Sequence, residues 1–162
     1  MKTIKYFILL FAFACTKESF GQDMNNLISY ENPSTVAAPN GYSHVVKIDI
    51  GNAYMLILSG QVAFNEKGVL IGKDDFSKQT QQVFQNIKNI ITAAGGTMDN
   101  LVKLGFFVTD VSQLPQLRSI RDTFINVKQP PASTLIEVKG LFRKDLLIEI
   151  EATAIVPKGD LK

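Results

Sequence analysis

Glu149 and Glu151 are the residues best placed for proton chemistry, because they sit two apart in an alternating apolar run. On a strand, such side chains share a face and stand about 6–7 Å apart. Turned toward another surface they lose water, and a desolvated carboxylate can accept a proton or orient a water molecule. An interface would use the same pair differently, matching each carboxylate with a neighbour's Lys or Arg. Ser59-Gly60-Gln61 closes another apolar run. Glycine there lets a ligand or a second backbone approach, and the serine adds a hydroxyl, although a plain strand-end bulge would use the same residues. His44 is the only histidine and lies in an apolar alternation, which marks a structural position. One histidine cannot build a zinc site. Lys103, Lys139, Arg143 and Lys144 lack the interleaved aromatics of a base-stacking surface and read as solvated. GxGxxG, Walker A, HExxH and GxSxG patterns are all missing.

The elements that must position these residues follow from periodicity. Ser43 to Ile50 and Ala53 to Ser59 flank Gly51-Asn52, which predicts a hairpin. Asp74 to Ala94 predicts a helix, with Phe76, Val83, Phe84, Ile87, Ile90, Ile91 and Ala94 on one stripe. Asp74 or Asp75 can cap it, and Gly95-Gly96 can stop it. Leu101 to Thr109 predicts a strand, and Ser112 to about Val127 a second helix with Pro115 in its first turn. Ser133 to Val138 and Leu146 to Val156 are the last strands. The order is β-β-α-β-α-β-β, an α+β sheet with two helices on one face. In the last strand Leu146, Ile148, Ile150, Ala152, Ala154 and Val156 form one face. Leu147, Glu149, Glu151, Thr153 and Ile155 form the other. Two helices cover one face only. Either the preceding polar segment folds over the second face, or another subunit does, since a soluble monomer tolerates only a few hundred Å² of exposed apolar patch. The expectation is an oligomer.

The 162 residues fit one domain, and 46% apolar content excludes disorder, a disulfide scaffold and a collagen-like fibre. Residues 1–21 have the layout of a secretory signal: Lys2 and Lys5, a short apolar run from Tyr6 to Ala14, then Ser19 and Gly21 as small residues at a cleavage site. That run is too short to cross a bilayer, which needs about 20 apolar residues. The expected location is therefore periplasmic or secreted. The competing fate is a lipid anchor through Cys15, the only cysteine. Cleavage after Gly21 would leave no thiol for disulfide, nucleophilic or metal chemistry. Removing Lys2, Lys5, Lys17 and Glu18 from the 17 basic and 15 acidic residues leaves 14 of each. A neutral chain offers no electrostatic footprint for nucleic acid or an anionic membrane. Residues 22–37 read as a polar arm, 38–157 as the domain and 158–162 as a tail.

Five ordered segments carry a family resemblance: LSGQ at 58–61, AAGG at 93–96, FVTD at 107–110, PPASTLIEV at 130–138 and LIEIEATA at 147–154. From Ala38 to Val156 the chain resembles the Rid (reactive intermediate deaminase, YjgF) family. The resemblance implies a chorismate-mutase-like α+β fold, a homotrimer whose sheets form a central barrel, and ligand clefts between subunits. It further implies hydrolysis of 2-imino acids or their enamine tautomers to 2-oxo acids and ammonia, with no metal or organic cofactor. Glu149 matches the family residue assigned to positioning the attacking water. Tyr42 matches a cleft tyrosine contributed by the neighbouring subunit, and Ser59 and Gly60 match the Ser-Gly pair lining that cleft.

One position departs from the pattern. Ser133 stands where deaminating members carry an arginine that grips the substrate carboxylate, and Leu135 replaces a nearby cysteine. A hydroxyl does not reproduce a guanidinium fork. Arg118, Arg143 or a neighbour's Lys139 are the candidates for replacing the charge. Two functions follow as expectations. One is a deaminase for a small, less acidic imine or enamine. The other is a non-catalytic exported trimer that binds a small carbonyl or aromatic ligand in the cleft, with Ser133 and Leu135 part of its lining. Endoribonuclease activity, attached to some members, disagrees with the neutral charge.

Overall fold

The computed structural model describes residues 27–159. The leader, Cys15, the start of the arm and residues 160–162 lie outside them. The first strand, β1 (Ile28–Glu31), falls in the segment read as a polar arm. Its four residues, ISYE, lack the apolar run that announces a strand, and it exists because it pairs antiparallel with β2 (Val45–Asp49). From there the expected order holds: β2, β3 (Ala53–Gln61), α1 (Phe76–Ala93), β4 (Leu101–Val108), α2 (Leu114–Arg121), β5 (Ala132–Glu137) and β6 (Ile148–Pro157). One six-stranded sheet results, in the order β1-β2-β3-β6-β4-β5. Only β4 and β5 are parallel, and α2 makes the crossover between them.

Local chemistry explains the boundaries. Gly51 at φ 91° closes the β2–β3 hairpin, where the Ile50 N–H donates to the Ala53 carbonyl at 3.0 Å. Asp75 caps α1 by accepting from the Lys78 N–H at 2.9 Å. The second helix is shorter than its apolar pattern suggests. Val111–Gln113 is a 3₁₀ turn, and beyond Arg121 the Thr123 hydroxyl takes the Ile120 carbonyl at 2.7 Å, drawing the chain into turns.

The helices pack on one sheet face. Phe84 and Ile87 of α1, Leu56 of β3, Leu104 of β4 and Ile148, Ile150 and Ala154 of β6 are all fully buried there. Phe84 stacks on Phe124 with ring centroids 5.1 Å apart. The other face stays open. Tyr30, Ile57 and Ile136 are 69%, 45% and 48% exposed. The described part of the arm does not cover that face: β1 lengthens the sheet at its edge, and Val36 turns into the core at 3% exposure.

Candidate functional site

The β3–β6 ladder breaks between Leu58 and Gln61. Leu58 faces Ala152 and Gln61 faces Ile150, so Ser59 and Gly60 together stand opposite Glu151 alone. Such a bulge re-aims neighbouring side chains. Here it opens space for the Glu149 side chain, which lies against Gly60 so closely that a Cβ on that glycine would overlap the carboxylate Oε1. Glu151 sits in the same way over Gly105 of β4, where an added Cβ would come 2.6 Å from its Oε1. The two carboxylates thus lie on the open face, each on a glycine of a flanking strand.

Above Gly60 is a cleft of about 320 Å³, floored by Ser59, Gly60 and Glu149 and walled by Tyr42, Val62, Phe64 and Phe142. Burial pushes the Glu149 carboxyl above the usual carboxylate range, and the neighbouring Glu151 charge adds to the rise. Tyr42 is raised as well, first by burial and then by the Glu149 charge, so it stays a neutral phenol at physiological pH. Its ring meets the His44 ring edge-on at 5.3 Å. The Ser59 hydroxyl donates to the Ser43 carbonyl at 2.6 Å, which fixes the segment carrying Tyr42 to the bulge.

His44 has the structural position expected of it. It is 3% exposed, with Nε2 2.6 Å from the Ala37 carbonyl and Nδ1 3.3 Å from the Gln61 amide nitrogen. A carbonyl only accepts, so Nε2 carries the proton.

Four of the six site residues expected from the sequence therefore share one cleft: Tyr42, Ser59, Gly60 and Glu149. Tyr42, which the resemblance assigned to a neighbour's contribution, lines the cleft of its own chain. Ser133 and Leu135 do not join them. Register places Ser133 beside Leu104 of β4, which pairs with Ala152 of β6, and those two side chains are buried under the helices. Glu149 has the opposite parity, so within one subunit Ser133 and Leu135 sit on the other side of the sheet, in a pocket with Arg118. Arg143 is near the Glu149 cleft, with its guanidinium 5.0 Å from the Phe64 ring. It is occupied, however, by a two-point contact with Asp145, and is not a free cation for a ligand.

Two residues that hold the cleft were not singled out from the sequence. Asn86 donates to the Val62 and Phe64 carbonyls at 3.0 and 2.8 Å, fixing one wall. Gln79 donates to the Asp145 carbonyl at 2.8 Å and accepts the Leu147 N–H at 2.9 Å, fixing the strand entry two residues before Glu149. Both are buried on the apolar stripe of α1. Polar residues seven apart on a core stripe were the available signal, since a buried amide must find partners. Among the described residues no group of three or more His, Cys, Asp or Glu is placed to hold a metal ion.

Fold and site together define a small α+β protein that presents a desolvated carboxylate at a sheet bulge, on the face away from its helices. Residues 33–156 match the family model described as Endoribonuclease L-PSP, and the chain belongs to that family, the Rid or YjgF family. It is 34% identical over 131 residues to a RutC family protein of Pyrococcus horikoshii, covering 81% of this chain and 98% of that one. It is 33% identical over 134 residues to the 2-iminobutanoate/2-iminopropanoate deaminase of Escherichia coli K12, covering 82% and 98%. Among solved structures, a Rid family protein of unknown function from Yersinia pestis superposes with a TM-score of 0.70 at 31% identity, covering 80% and 99%.

Proposed function

We propose that this protein is a hydrolytic deaminase of small imines or enamines, releasing ammonia and a carbonyl product without a metal or organic cofactor. The observation that carries the reading is the placement of Glu149: half-buried, raised in pKa, and lodged at a bulge beside a protonated phenol. In the proposed reaction Glu149 takes a proton from water as its oxygen bonds to the imine carbon. In the same reading Tyr42, which lines the cleft, hydrogen-bonds the substrate nitrogen. Glu149 returns that proton to the nitrogen, then relays the hydroxyl proton of the tetrahedral intermediate to the same nitrogen, so that the C–N bond breaks as ammonia leaves and C=O forms. A base with a raised pKa removes that proton more effectively. Similarity to proteins named 2-iminobutanoate/2-iminopropanoate deaminase supports the substrate class. Ser133, in place of the arginine implied by the resemblance, shifts the proposed range toward less acidic imines than the 2-imino acids. The proposed setting is outside the cytoplasm, on the strength of the leader. The family description names an endoribonuclease, but among the described residues the only charged one lining the cleft is a carboxylate, which repels a phosphodiester.

The test is ammonia release from 2-iminopropanoate and 2-iminobutanoate generated in situ, and from a neutral imine. The ionised Glu149 is the active form, so kcat/KM rises with pH, and its acidic limb is expected above the ordinary carboxylate range. A limb at the ordinary range would remove Glu149 as the base.

The proposed working state is a homotrimer, with the open sheet faces turned inward on one another. Sedimentation equilibrium is expected to give three times the mass of the chain, and a stable monomer would overturn it.

A second reading, a non-catalytic trimer for a small carbonyl or aromatic ligand, draws on the three rings around the cleft. Phe142, at 69% exposure, is a large apolar side chain left open at its rim. Robust ammonia release would dismiss it.

A further inference from the structure

The loop that leads into β2 is tied at both ends. At its start Val36 is buried in the core, and the Ala37 carbonyl accepts from His44 Nε2 at 2.6 Å. At its end the Ser43 carbonyl accepts from the Ser59 hydroxyl at 2.6 Å. Asn40, Gly41 and Tyr42 lie exposed between these ties. Asn40-Gly41 is the one Asn-Gly pair in the sequence. Among the described residues, the Asn40 side-chain amide and the Gly41 N–H have no hydrogen-bond partner. Gly41 holds φ 80°, and a Cβ built on it would meet nothing within 4 Å. Other asparagines in turns are held. Asn65 accepts from the Lys67 and Val69 N–H groups, each at 3.0 Å, and Asn126 accepts from the Lys128 N–H at 3.0 Å. Each of those two is followed by a residue with a bulky side chain, Glu66 or Val127.

An unheld asparagine amide is within reach of the next backbone nitrogen, and an intramolecular nucleophile needs no encounter from solution. Glycine at that next position leaves the nitrogen without a Cβ beside it. We propose that Asn40 is a self-modification site, converted through a cyclic imide to aspartate and isoaspartate. The Gly41 nitrogen gives up its proton and bonds to Cγ of Asn40. The Cγ–Nδ2 bond then breaks, and Nδ2 takes up a proton and leaves as ammonia. Water opens the imide, its oxygen bonding to one of the two carbonyl carbons and a proton returning to the Gly41 nitrogen. Opening at Cγ gives aspartate, and opening at the main-chain carbon gives isoaspartate, whose backbone is one atom longer. With both ends of the loop tied, that extra length is taken up around Gly41 and Tyr42. The Tyr42 ring therefore leaves its edge-on contact with His44, at 5.3 Å between centroids, and with it the wall of the Glu149 cleft. Neither step depends on whether the protein hydrolyses imines.

Ageing the full chain in buffer made with heavy-oxygen water, followed by peptide mass spectrometry, tests the assignment. The peptide holding Asn40 should gain the mass difference between an amide and a carboxyl group, together with one heavy oxygen. Peptides holding Asn65 and Asn126 should stay as they are. Conversion should quicken as pH rises, because the attacking nitrogen must shed a proton. Asn40→Gln should stop it, since the longer side chain closes a less favourable ring. Gly41→Ala should slow it about tenfold or more, by crowding the nitrogen. Asn40 is exposed, so circular dichroism should find the fold of Asn40→Gln unchanged. In the aged protein the nuclear Overhauser contact between the Tyr42 and His44 rings should weaken in step with isoaspartate content, and in aged Asn40→Gln it should persist. No conversion at Asn40, equal conversion at Asn65 and Asn126, or an unchanged rate in Gly41→Ala would each overturn the site. An isoaspartyl chain that keeps the full ring contact would overturn the displacement of Tyr42.

Discussion

A Glu149→Gln variant is expected to hydrolyse imines about 10² to 10⁴ times more slowly than the wild type, the usual worth of a positioned general base. The substitution keeps the shape of the side chain and removes only its ability to take a proton. It should also make the protein more stable at neutral pH. The folded-state pKa of Glu149 lies above its unfolded value because burial and the Glu151 charge disfavour ionisation. Below the ordinary carboxylate range both states hold the proton and nothing is lost. As pH rises past the unfolded pKa, the unfolded chain releases its proton first, and stability falls until the folded pKa is passed. Glutamine never ionises and escapes that loss. Thermal melts of the two proteins should therefore converge at acid pH and separate toward neutrality, with the variant higher. An unchanged rate would remove Glu149 from the chemistry, and parallel melting curves would remove the desolvation argument.

The features most legible in the sequence were those with an unbroken period. The apolar stripe of α1 and the alternation of β6 gave the helix, the strand and the face on which Glu149 stands, because each repeat is enforced by one continuous core. The bulge at Ser59 and Gly60 was legible as a position but not as a geometry, since its shape depends on the register against β6. The edge strand β1 was not legible, because ISYE becomes a strand only through its pairing with β2. The separation of Ser133 from Glu149 was hidden for a related reason. β5 and β6 are not neighbours, and their relative parity is carried across β4, whose pairing with each no single segment reports. The family resemblance grouped the two residues by role, and a single subunit keeps them on opposite sides of its sheet. In the proposed trimer, neighbouring subunits would bring the two residues to one ligand, so the oligomeric state bears directly on the proposed chemistry.

Gly60→Ala is expected to lower the hydrolytic rate by about 10², because a displacement of about 1 Å in a catalytic group is enough for that loss. Gly60 does not occupy the left-handed backbone region, so alanine brings no backbone strain of that kind. The added methyl instead meets the Glu149 side chain, with Cδ 2.7 Å and Cγ 2.9 Å from the ideal Cβ position. Backbone is not what it strikes. The end of a long side chain can swing aside into an open cleft, so the fold should survive while the carboxylate leaves its place above the bulge. Far-ultraviolet circular dichroism should match the wild type, and the acidic limb of the pH profile should move back toward the ordinary carboxylate range as Glu149 reaches water. The decisive measurement is a double-mutant cycle. If Gly60 acts by making room for the carboxylate, Gly60→Ala should change the residual rate of Glu149→Gln by no more than about threefold, because the group it displaces no longer does the chemistry. Full additivity of the two losses would mean that the glycine serves the ligand directly, and that the close approach to Glu149 is incidental.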